Sequence, residues 1–392
     1  MTSADVVIVG AGAIGASVAY HLARAGWRDI VVLDRAARPG EGSTGRATGG
    51  YRAQFATAVN VRLSLLAREK LRAFHDELGV DPGYRPVGYL WLARTPATLA
   101  TLRAAQRVQH ACGLAEAGEL SAAGARELVP ALRVDDVAGA VFCPSDGYIV
   151  PLDILRGYIA GAERLGVRFH WGVETCGVRF ADDREGGAGA RRISAVRTTG
   201  GEIACGQVVN AAGAWAASLA RDAGYALPVA PLRRQVAMTV PTTVLPDDVP
   251  MTIVADDGFH FRWREGRVLY AWPTPGDPAD PWSTAVEPAW IETTRRAAAE
   301  RVPVLADVPV DPARCWAGLY EVSPDKLAIV GPAPGLDNLF LVNGCSGHGV
   351  MHAPALGQLA SELLSCEVPS VDPTELRPER FAGGAVEVRE IL

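Results

Sequence analysis

The sequence predicts an α/β fold in which a central parallel sheet is interrupted by a second unit, α+β in character and built on a mixed β-sheet. A short apolar strand, a glycine-rich turn and a helix open the chain, and the same order returns near its end. Between these regions several segments alternate aromatic or β-branched residues with polar ones, which is typical of strands with one buried face. At 392 residues the chain exceeds what one hydrophobic core usually serves, so two domains are expected.

The first stretch combines a strand, a turn, a helix and a second strand. Val6 to Val9 is a β-branched run suited to a buried parallel strand, and the glycine turn 10–15 (GAGAIG) follows directly. Apolar residues then recur at helical spacing until Gly26. Ile30 to Leu33 predicts a second buried strand, which ends at Asp34.

A dinucleotide site needs these residue types in this order. Gly10 makes the tight turn, Gly12 lets the backbone approach a pyrophosphate, and Gly15 lets helix and strand pack closely. The positive end of the helix dipole favours the anion. Asp34 lies where a carboxylate accepts hydrogen bonds from a ribose, and it argues against the 2′-phosphate of NADP. We therefore predict a functional Rossmann-type site, rather than a glycine-rich turn without function; the motif alone leaves FAD and NAD open.

The middle of the chain alternates two kinds of segment. Residues 35–56 predict a glycine-rich loop that lines a ligand, because Arg46 and Arg52 are interleaved there with apolar residues; a flexible surface loop is the alternative. Helices are predicted over 63–78, 97–111, 122–129, 152–164 and 289–301. Strands are predicted over 87–93, 167–181, 192–198 and 202–209, and within a β-rich section over 229–272. Residues 273–281 predict a turn-rich connector, and the polar tail from about 368 predicts a surface arm.

A second strand, glycine turn and helix lies near the C-terminus. Leu339 to Val342 predicts the strand, residues 343–349 (NGCSGHG) the turn, and apolar spacing from Met351 to Leu363 the helix. A helix N-terminus directed at the pyrimidine edge of a reduced flavin would stabilise its negative charge. The alternative is a helix cap beside a structural His348. With a dinucleotide site already predicted, a redox ring is the better hypothesis.

Composition excludes other classes of protein. Hydrophobic residues make up 49% and charged residues 21%, and a net charge of −6 without a basic stripe argues against nucleic-acid binding. Seven scattered cysteines without CxxC spacing predict reduced thiols in a cytoplasmic protein and no metal site. The N-terminus lacks the basic leader of a signal peptide. No apolar run reaches the roughly 18 residues that a membrane span requires.

Motifs spread from end to end make the sequence resemble the FAD-dependent D-amino acid oxidase and sarcosine oxidase superfamily. They are VIVGAGAIGASVAYHLA, GSTGRATGGYRAQF, DGYIVPLDI, VVNAAGAWA, LRRQ, WAGLYEVSPDKLAIVG and GCSGHGVMHAPALG. The most similar branch contains sarcosine oxidase and the β-subunits of proline and hydroxyproline dehydrogenases. With this resemblance, the alternating segments predict an FAD-binding domain over 1–85, 143–225 and 313–392. The substrate-binding domain is predicted over 86–142 and 226–312.

The resemblance implies which residues hold FAD. Expected at the ADP half are Gly10, Gly12, Ala13, Ile14, Asp34 and Arg35. Expected along the pyrophosphate, ribityl chain and flavin are Ser43, Thr44, Arg46, Thr48, Gly49 and Gly50. Val173 would contact adenine through its backbone, and the central part would meet Ala212, Gly213 and Trp215. Expected around the flavin ring are Gly318, Leu319, Gly347, His348, Gly349 and Met351.

The sequence departs from the superfamily at functional positions. In monomeric sarcosine oxidase a cysteine that bonds the flavin stands at the place of Gly318, so we expect noncovalent FAD here. The family's carboxylate-binding lysine corresponds to Met351, and the lysine that promotes dioxygen reduction corresponds to Leu269. Glycine oxidase and D-amino acid oxidase carry an arginine where Tyr320 and Glu321 stand. A dehydrogenase is therefore at least as well supported as an oxidase of sarcosine.

The expected reaction is flavin-dependent removal of hydride from the carbon beside an amine, followed by hydrolysis of the imine. Arg52 is the predicted partner of a substrate carboxylate, with a surface salt bridge as the alternative. His260 is a candidate substrate contact, with a structural histidine as the alternative. Tyr320 and His352 complete the candidate catalytic set, although packing, capping or other structural roles suit these two better.

The substrate class stays open between sarcosine, proline, hydroxyproline, D-amino acids and larger secondary amines. One alternative is a D-amino acid or glycine oxidase, and another is an NAD-dependent dehydrogenase. A third is an FAD-carrying subunit that is inactive without companion subunits. The predicted partners are thus a small amine or amino acid and either dioxygen or another electron acceptor, with companion subunits in the third case.

Overall fold

The computed structural model describes residues 3–181, 191–273, 280–383 and 387–390. The strands of this part are β1 (Ser3–Val9), β2 (Ile30–Asp34), β3 (Gly50–Tyr51), β4 (Tyr89–Ala93), β5 (Gly118–Leu120), β6 (Gly139–Cys143), β7 (Gly147–Tyr148), β8 (Arg168–Trp171), β9 (Thr175–Phe180), β10 (Ile193–Thr198), β11 (Gly201–Asn210), β12 (Ala230–Met238), β13 (Met251–Val254), β14 (His260–Arg264), β15 (Arg267–Ala271), β16 (Trp316–Val322), β17 (Ile329–Pro332) and β18 (Leu339–Asn343). The helices are α1 (Ala13–Arg24), α2 (Ala58–Leu78), α3 (Pro96–Ala111), α4 (Ala122–Leu128), α5 (Pro151–Arg164), α6 (Ala216–Asp222), α7 (Pro288–Arg301) and α8 (Gly349–Leu364).

The first large sheet is the predicted parallel core. Its strands follow the order β17-β18-β11-β1-β2-β8, and β9 and β10 extend it from β11. Strand β1 pairs in parallel with β2 and β11, as β2 does with β8 and β11 with β18. Val6 and Ile8 pack into a core with α1, α5 and α8, whereas Val7 packs into a second core with α6. Because both faces are covered, residues 6–9 of β1 form an unbroken apolar run rather than an alternating one.

The second large sheet is mixed, as predicted. The strand order of this sheet is β16-β12-β15-β14-β13-β4-β6-β5. Strands β13 and β4 pair in parallel, and all other neighbouring strands of the sheet pair antiparallel. Strands β3 and β7 form a separate antiparallel pair. The predicted fold class is therefore confirmed. The two-domain division stays a proposal, and β16 belongs to the mixed sheet although it lies within 313–392.

The prediction of a surface arm after residue 368 was wrong for much of the tail. Val371 and Leu376 are buried in the core that contains α2 and α8. Arg380 pairs with the buried Asp325 at 2.7 Å, and Glu390 accepts hydrogen bonds from the backbone of Ala56 and Thr57 at the start of α2. Short 3-10 turns made these contacts invisible as a periodic pattern.

Two further expectations concern the connector and membrane spans. Residues 274–279 of the predicted connector lie outside the described residues. None of the helices in the described residues has the length and apolar character that crossing a membrane requires.

Candidate active site

A cavity of about 810 Å³ is lined by residues of both large sheets and of the two glycine turns. Its volume lies in the upper part of the range for ligand sites. Every residue predicted for the site, apart from His352, lines this cavity. The structure thus brings together residues that the sequence separates by more than 300 positions, such as Gly10 and Gly349.

In the first glycine turn, the glycines carry no side chain that would cover the backbone at the N-terminus of α1. Gly10 has φ +104°, and a Cβ there would stand 2.2 Å from the Ala211 carbonyl oxygen. A Cβ on Gly15 would stand 1.9 Å from the Gly10 carbonyl oxygen. The first turn of α1 contains no acidic residue. Its Ala13 N–H donates to Thr44 Oγ1, and its other N–H groups can donate to an anion.

Asp34 lies at the carboxyl end of β2, on the cavity wall. Its Oδ2 accepts the Ala11 N–H at 2.8 Å, and its Oδ1 accepts the Ala36 N–H at 2.8 Å. A carboxylate offers about four acceptor positions, so each oxygen keeps capacity for a ribose hydroxyl. Nearby, the Arg35 guanidinium lies 3.8 Å from the centre of the Trp215 ring, and the Val173 N–H donates to the Asp34 carbonyl.

The loop 43–50 is fixed by the mixed sheet. Ser43 Oγ donates to the Leu319 carbonyl at 2.7 Å, and Arg46 donates to the Ala317 carbonyl at 2.8 Å. From β14, Arg262 donates to the carbonyl oxygens of Thr48 and Gly49 at 2.8 and 2.7 Å. This explains why a glycine-rich loop has a defined path beside the cavity. Thr44 Oγ1 accepts the Ala13 N–H at 3.1 Å and joins the loop to α1.

The C-terminal glycine turn meets the first one. A Cβ on Gly349 would stand 3.3 Å from Ile14 Cδ1, so the N-termini of α8 and α1 lie side by side. Gly347 has φ +98°, and the Tyr320 ring lies close enough that a Cβ on Gly347 would be 2.5 Å from it. Tyr320 therefore packs over the turn, and burial raises its pKa.

Arg52 and His348 form a contact within the cavity wall. Arg52 donates to the Gln54 carbonyl oxygen, and its Nη2 lies 3.2 Å from His348 Nε2. A guanidinium has only donors, so His348 Nε2 must accept, which requires a neutral ring. Burial, and then the charge of Arg52, lower the pKa of His348 well below its ordinary value. The guanidinium also lies 3.8 Å from the centre of the Phe55 ring.

The two other candidate histidines occupy different places. His260 lines the cavity, and its Nδ1 donates to the Gly258 carbonyl at 2.9 Å, which leaves Nε2 as an acceptor. Burial lowers its pKa below the ordinary value, so the ring is neutral at pH 7. His352 lies outside the cavity lining, with Nε2 2.8 Å from Ser64 Oγ, and burial lowers its pKa to about 3. This position matches a structural role for His352.

The cavity also includes residues that no sequence pattern indicates. Its remaining wall includes Tyr89, Trp91, Arg234, Val236, Met251, Ile253 and Glu321. Burial raises the pKa of Glu321 to about 7, and its Oε2 has no hydrogen-bond partner among the described residues. LRRQ and WAGLYEV were recognised as motifs, but the sequence did not show which of their side chains face the site.

The cavity fits FAD by its own features. The bare turn at Gly10 and the two adjoining helix N-termini suit a pyrophosphate and an electron-rich ring edge. Asp34, with acceptor capacity left, suits a ribose. Cys315 donates its Sγ–H to the Asp311 carbonyl at 3.4 Å, away from the lining residues, and burial raises the pKa of the Cys345 thiol. Neither thiol is thus prepared for bond formation with a flavin.

Known proteins resemble this chain along nearly its whole length. Residues 5–363 match the family model for FAD dependent oxidoreductases. Mitochondrial dimethylglycine dehydrogenase of Rattus norvegicus is 28% identical over 96% of this chain, which spans only 45% of that protein. The FAD-dependent oxidoreductase domain-containing protein 1 of Bos taurus is 31% identical, over 92% of this chain and 81% of its own length.

Among solved structures, L-proline dehydrogenase from P. horikoshii superposes with a TM-score of 0.89 at 25% identity, covering 98% of this chain and 100% of that one. The match to the family model and the glycine cradle at Gly10 agree on the cofactor, which is FAD. The chain belongs to the family of FAD-dependent oxidoreductases.

Proposed function

We propose that the chain oxidises the C–N bond of a small amino acid or secondary amine, of the sarcosine, proline or hydroxyproline type, to an imine. The observation that supports this most is the continuity of the cavity: the FAD-binding residues and a wall of Tyr89, Trp91, Met251 and Ile253 line the same space. An apolar wall suits the ring or N-methyl group of such an amine. The similar proteins whose names include L-proline and dimethylglycine support the same class.

Bound FAD supplies the acceptor for the hydride that leaves the carbon next to nitrogen. The residues of the chain bind and orient the amine and exclude water. A secondary amine loses its N–H proton as the C=N bond forms, whereas a tertiary amine gives an iminium ion. Water then adds to the C=N bond and releases the carbonyl product and the amine. His260, with a neutral ring and an acceptor Nε2, is proposed to contact the substrate.

Arg52 is proposed to contribute positive charge that attracts a carboxylate. Its guanidinium is held by Gln54 and His348 and stacked on Phe55, so its position is fixed before the substrate arrives. Tyr320 is proposed to pack the flavin turn rather than to transfer a proton, because burial raises its pKa.

The proposal is tested with the purified chain, an artificial electron acceptor and a panel of sarcosine, dimethylglycine, L-proline, hydroxyproline, glycine and D-alanine. We expect turnover with a secondary or tertiary amine and formation of the matching carbonyl product. Preferential turnover of glycine or D-alanine would support the alternative oxidase class. Activity that appears only when companion subunits are added would support the multi-chain alternative, and inactivity under both conditions would contradict the proposal.

The electron acceptor is tested in the same assay. Leu269, the counterpart of the lysine that promotes dioxygen reduction, is apolar and fully buried. We therefore propose that an acceptor other than dioxygen supports faster turnover. Comparing oxygen uptake with reduction of the artificial acceptor decides between dehydrogenase and oxidase.

A further inference from the structure

We propose that Arg234 is the residue that binds the carboxylate of the substrate directly, and that the substrate is consequently an amino acid with a single carboxylate. This inference rests on the proposed function, because it assigns a specificity residue within the same cavity. It differs from the expectation for Arg52, whose guanidinium is already committed to contacts within the protein.

The strand that carries Arg234 directs its side chain to the cavity. Successive residues of a strand point to opposite faces. Arg234 and Val236 line the cavity, whereas Arg233 pairs with Glu287 and donates to the Ala285 carbonyl at 3.0 Å. Strand β12 therefore separates two adjacent arginines, one held by an acid and one facing the ligand space. The pairing of Arg234 with Gly318 places it beside the strand that lines the predicted flavin site.

Arg234 lacks a counter-charge in the described part of the chain. Its Nη1 donates a long hydrogen bond, of 3.3 Å, to the carbonyl oxygen of the neighbouring residue Arg233. No described carboxylate lies within 4.0 Å of its guanidinium. A half-buried guanidinium is costly to leave unpaired, so an anionic group of the ligand would be its natural partner.

The surrounding groups strengthen the positive field at this place. Arg234 lies 5.8 Å from the centre of the Tyr320 ring, and its charge acts on the nearby His260. His260 and His348 are both neutral, so neither adds a competing cation. The positive charge of Arg234 therefore faces a wall of neutral and apolar groups, where charge interactions are stronger than in water.

This charge balance indicates the substrate class. The charge of Glu390 acts on Arg52, whereas no described carboxylate lies within 4.0 Å of the Arg234 guanidinium. One guanidinium binds one carboxylate through two parallel N–H···O bonds. A monocarboxylate amino acid satisfies this arrangement at Arg234.

The test uses the FAD-loaded full chain and two probes that cannot be oxidised at nitrogen. Tetrahydrofuran-2-carboxylate resembles proline with oxygen in place of the ring N–H, and tetrahydrofurfuryl alcohol is its neutral counterpart. Binding is followed through the change in the visible absorption of the oxidised flavin. The variants are Arg234→Met, Arg234→Lys, Arg52→Met and, as a control on the same strand, Arg233→Met. FAD content and far-UV circular dichroism report whether each variant is folded.

We expect Arg234→Met to raise the Kd of the carboxylate probe by roughly tenfold to a hundredfold, because one charge-assisted pair is lost. The Kd of the alcohol probe should change by less than about threefold, so the variant no longer prefers the acid to the alcohol. Arg234→Lys should recover part of the affinity, because it restores charge but not the bidentate geometry. Arg233→Met should bind both probes as the unaltered chain does.

The inference is overturned if the unaltered chain binds acid and alcohol equally, or if Arg234→Met keeps its preference for the acid while Arg52→Met loses it. If Arg234→Met does not fold, Arg234→Lys decides: an affinity for the acid equal to that of the unaltered chain would overturn the inference, and a reduced affinity with unchanged binding of the alcohol would support it. The two proposals fail separately. If probe binding depends on Arg234 but the chain oxidises no amine, only the proposed function is contradicted. If the chain oxidises an amine and substitution of Arg234 has no effect, only this inference is contradicted.

Discussion

Gly357 of α8 lies directly against Ser17 of α1: a Cβ on Gly357 would stand 2.1 Å from Ser17 Oγ and 2.7 Å from the Ser17 carbonyl carbon. This approach brings together the helices that follow the two glycine turns. We expect Gly357→Ala to force the helices apart and to lower the free energy of unfolding by about 1–3 kcal/mol, as overpacking of a core does.

Urea unfolding of the FAD-free protein measures this loss. Gly118→Ala is the matched control, because a Cβ on Gly118 has no heavy atom within 4 Å. Equal stability of the two variants would contradict the close packing of α1 and α8.

Arg262 should contribute to FAD affinity although it is expected to hold a loop rather than the cofactor. It donates to the carbonyl oxygens of Thr48 and Gly49, and its guanidinium lies 3.7 Å from the centre of the Tyr148 ring. Arg262→Met removes both hydrogen bonds, so we expect the Kd for FAD to rise about tenfold or more. Quenching of FAD fluorescence on titration with the apoprotein measures it. Arg264→Met, whose contact with Ala47 is 3.5 Å long, should have a smaller effect.

Asp146 should make stability depend on pH. Burial raises the pKa of this carboxyl from 3.8 to about 7, although it accepts hydrogen bonds from the backbone of Ala53 and Gln54. The folded state keeps the proton that the unfolded state loses near pH 4, so this group lowers the free energy of unfolding as pH rises towards 7. The loss is on the order of 4 kcal/mol, and it is complete above the folded pKa.

Asp146→Asn removes this titration. As pH rises from 4 to 7, the unaltered chain should lose unfolding free energy relative to Asp146→Asn. Above pH 7 the difference between the two proteins should stay constant. Urea unfolding at several pH values measures the difference. A difference that does not vary with pH would show that the Asp146 pKa is not raised.

Glu321 should couple ligand binding to pH. Burial raises its pKa to about 7, so the side chain is neutral below that pH and negative above it, inside the cavity. A negative charge repels a carboxylate, so the Kd of tetrahydrofuran-2-carboxylate should increase above pH 7, on the order of tenfold. Glu321→Gln should bind this probe with the same Kd on both sides of pH 7. Persistence of the increase in that variant would assign it to another group.

Local patterns predicted the glycine turns and the elements around them well. The turn at Gly10 and the turn at Gly347 each combine a strand, a glycine and a helix within a short span, so sequence spacing defines them. The fold class followed from these turns and from the alternating segments between them.

Features that depend on long-range contacts were not predictable in this way. Arg233 and Arg234 are adjacent and chemically identical, and only the cavity lining and the Arg233–Glu287 ion pair show which one faces the cavity. His352 follows His348 by one helical turn, yet Ser64 and Phe55 enclose it away from the cavity. Glu390 looked like part of a polar tail until its contacts with the start of α2 were visible.

The most direct test of this account is an anaerobic titration of the purified, FAD-loaded chain with L-proline and with the other amines of the panel. We expect at least one amine with a single carboxylate to abolish the visible absorption of oxidised FAD, and pyrrolidine, which lacks the carboxylate, to do so far less effectively. A chain whose flavin is reduced by NADH but by none of the amines, or a colourless chain that takes up no FAD, would contradict it.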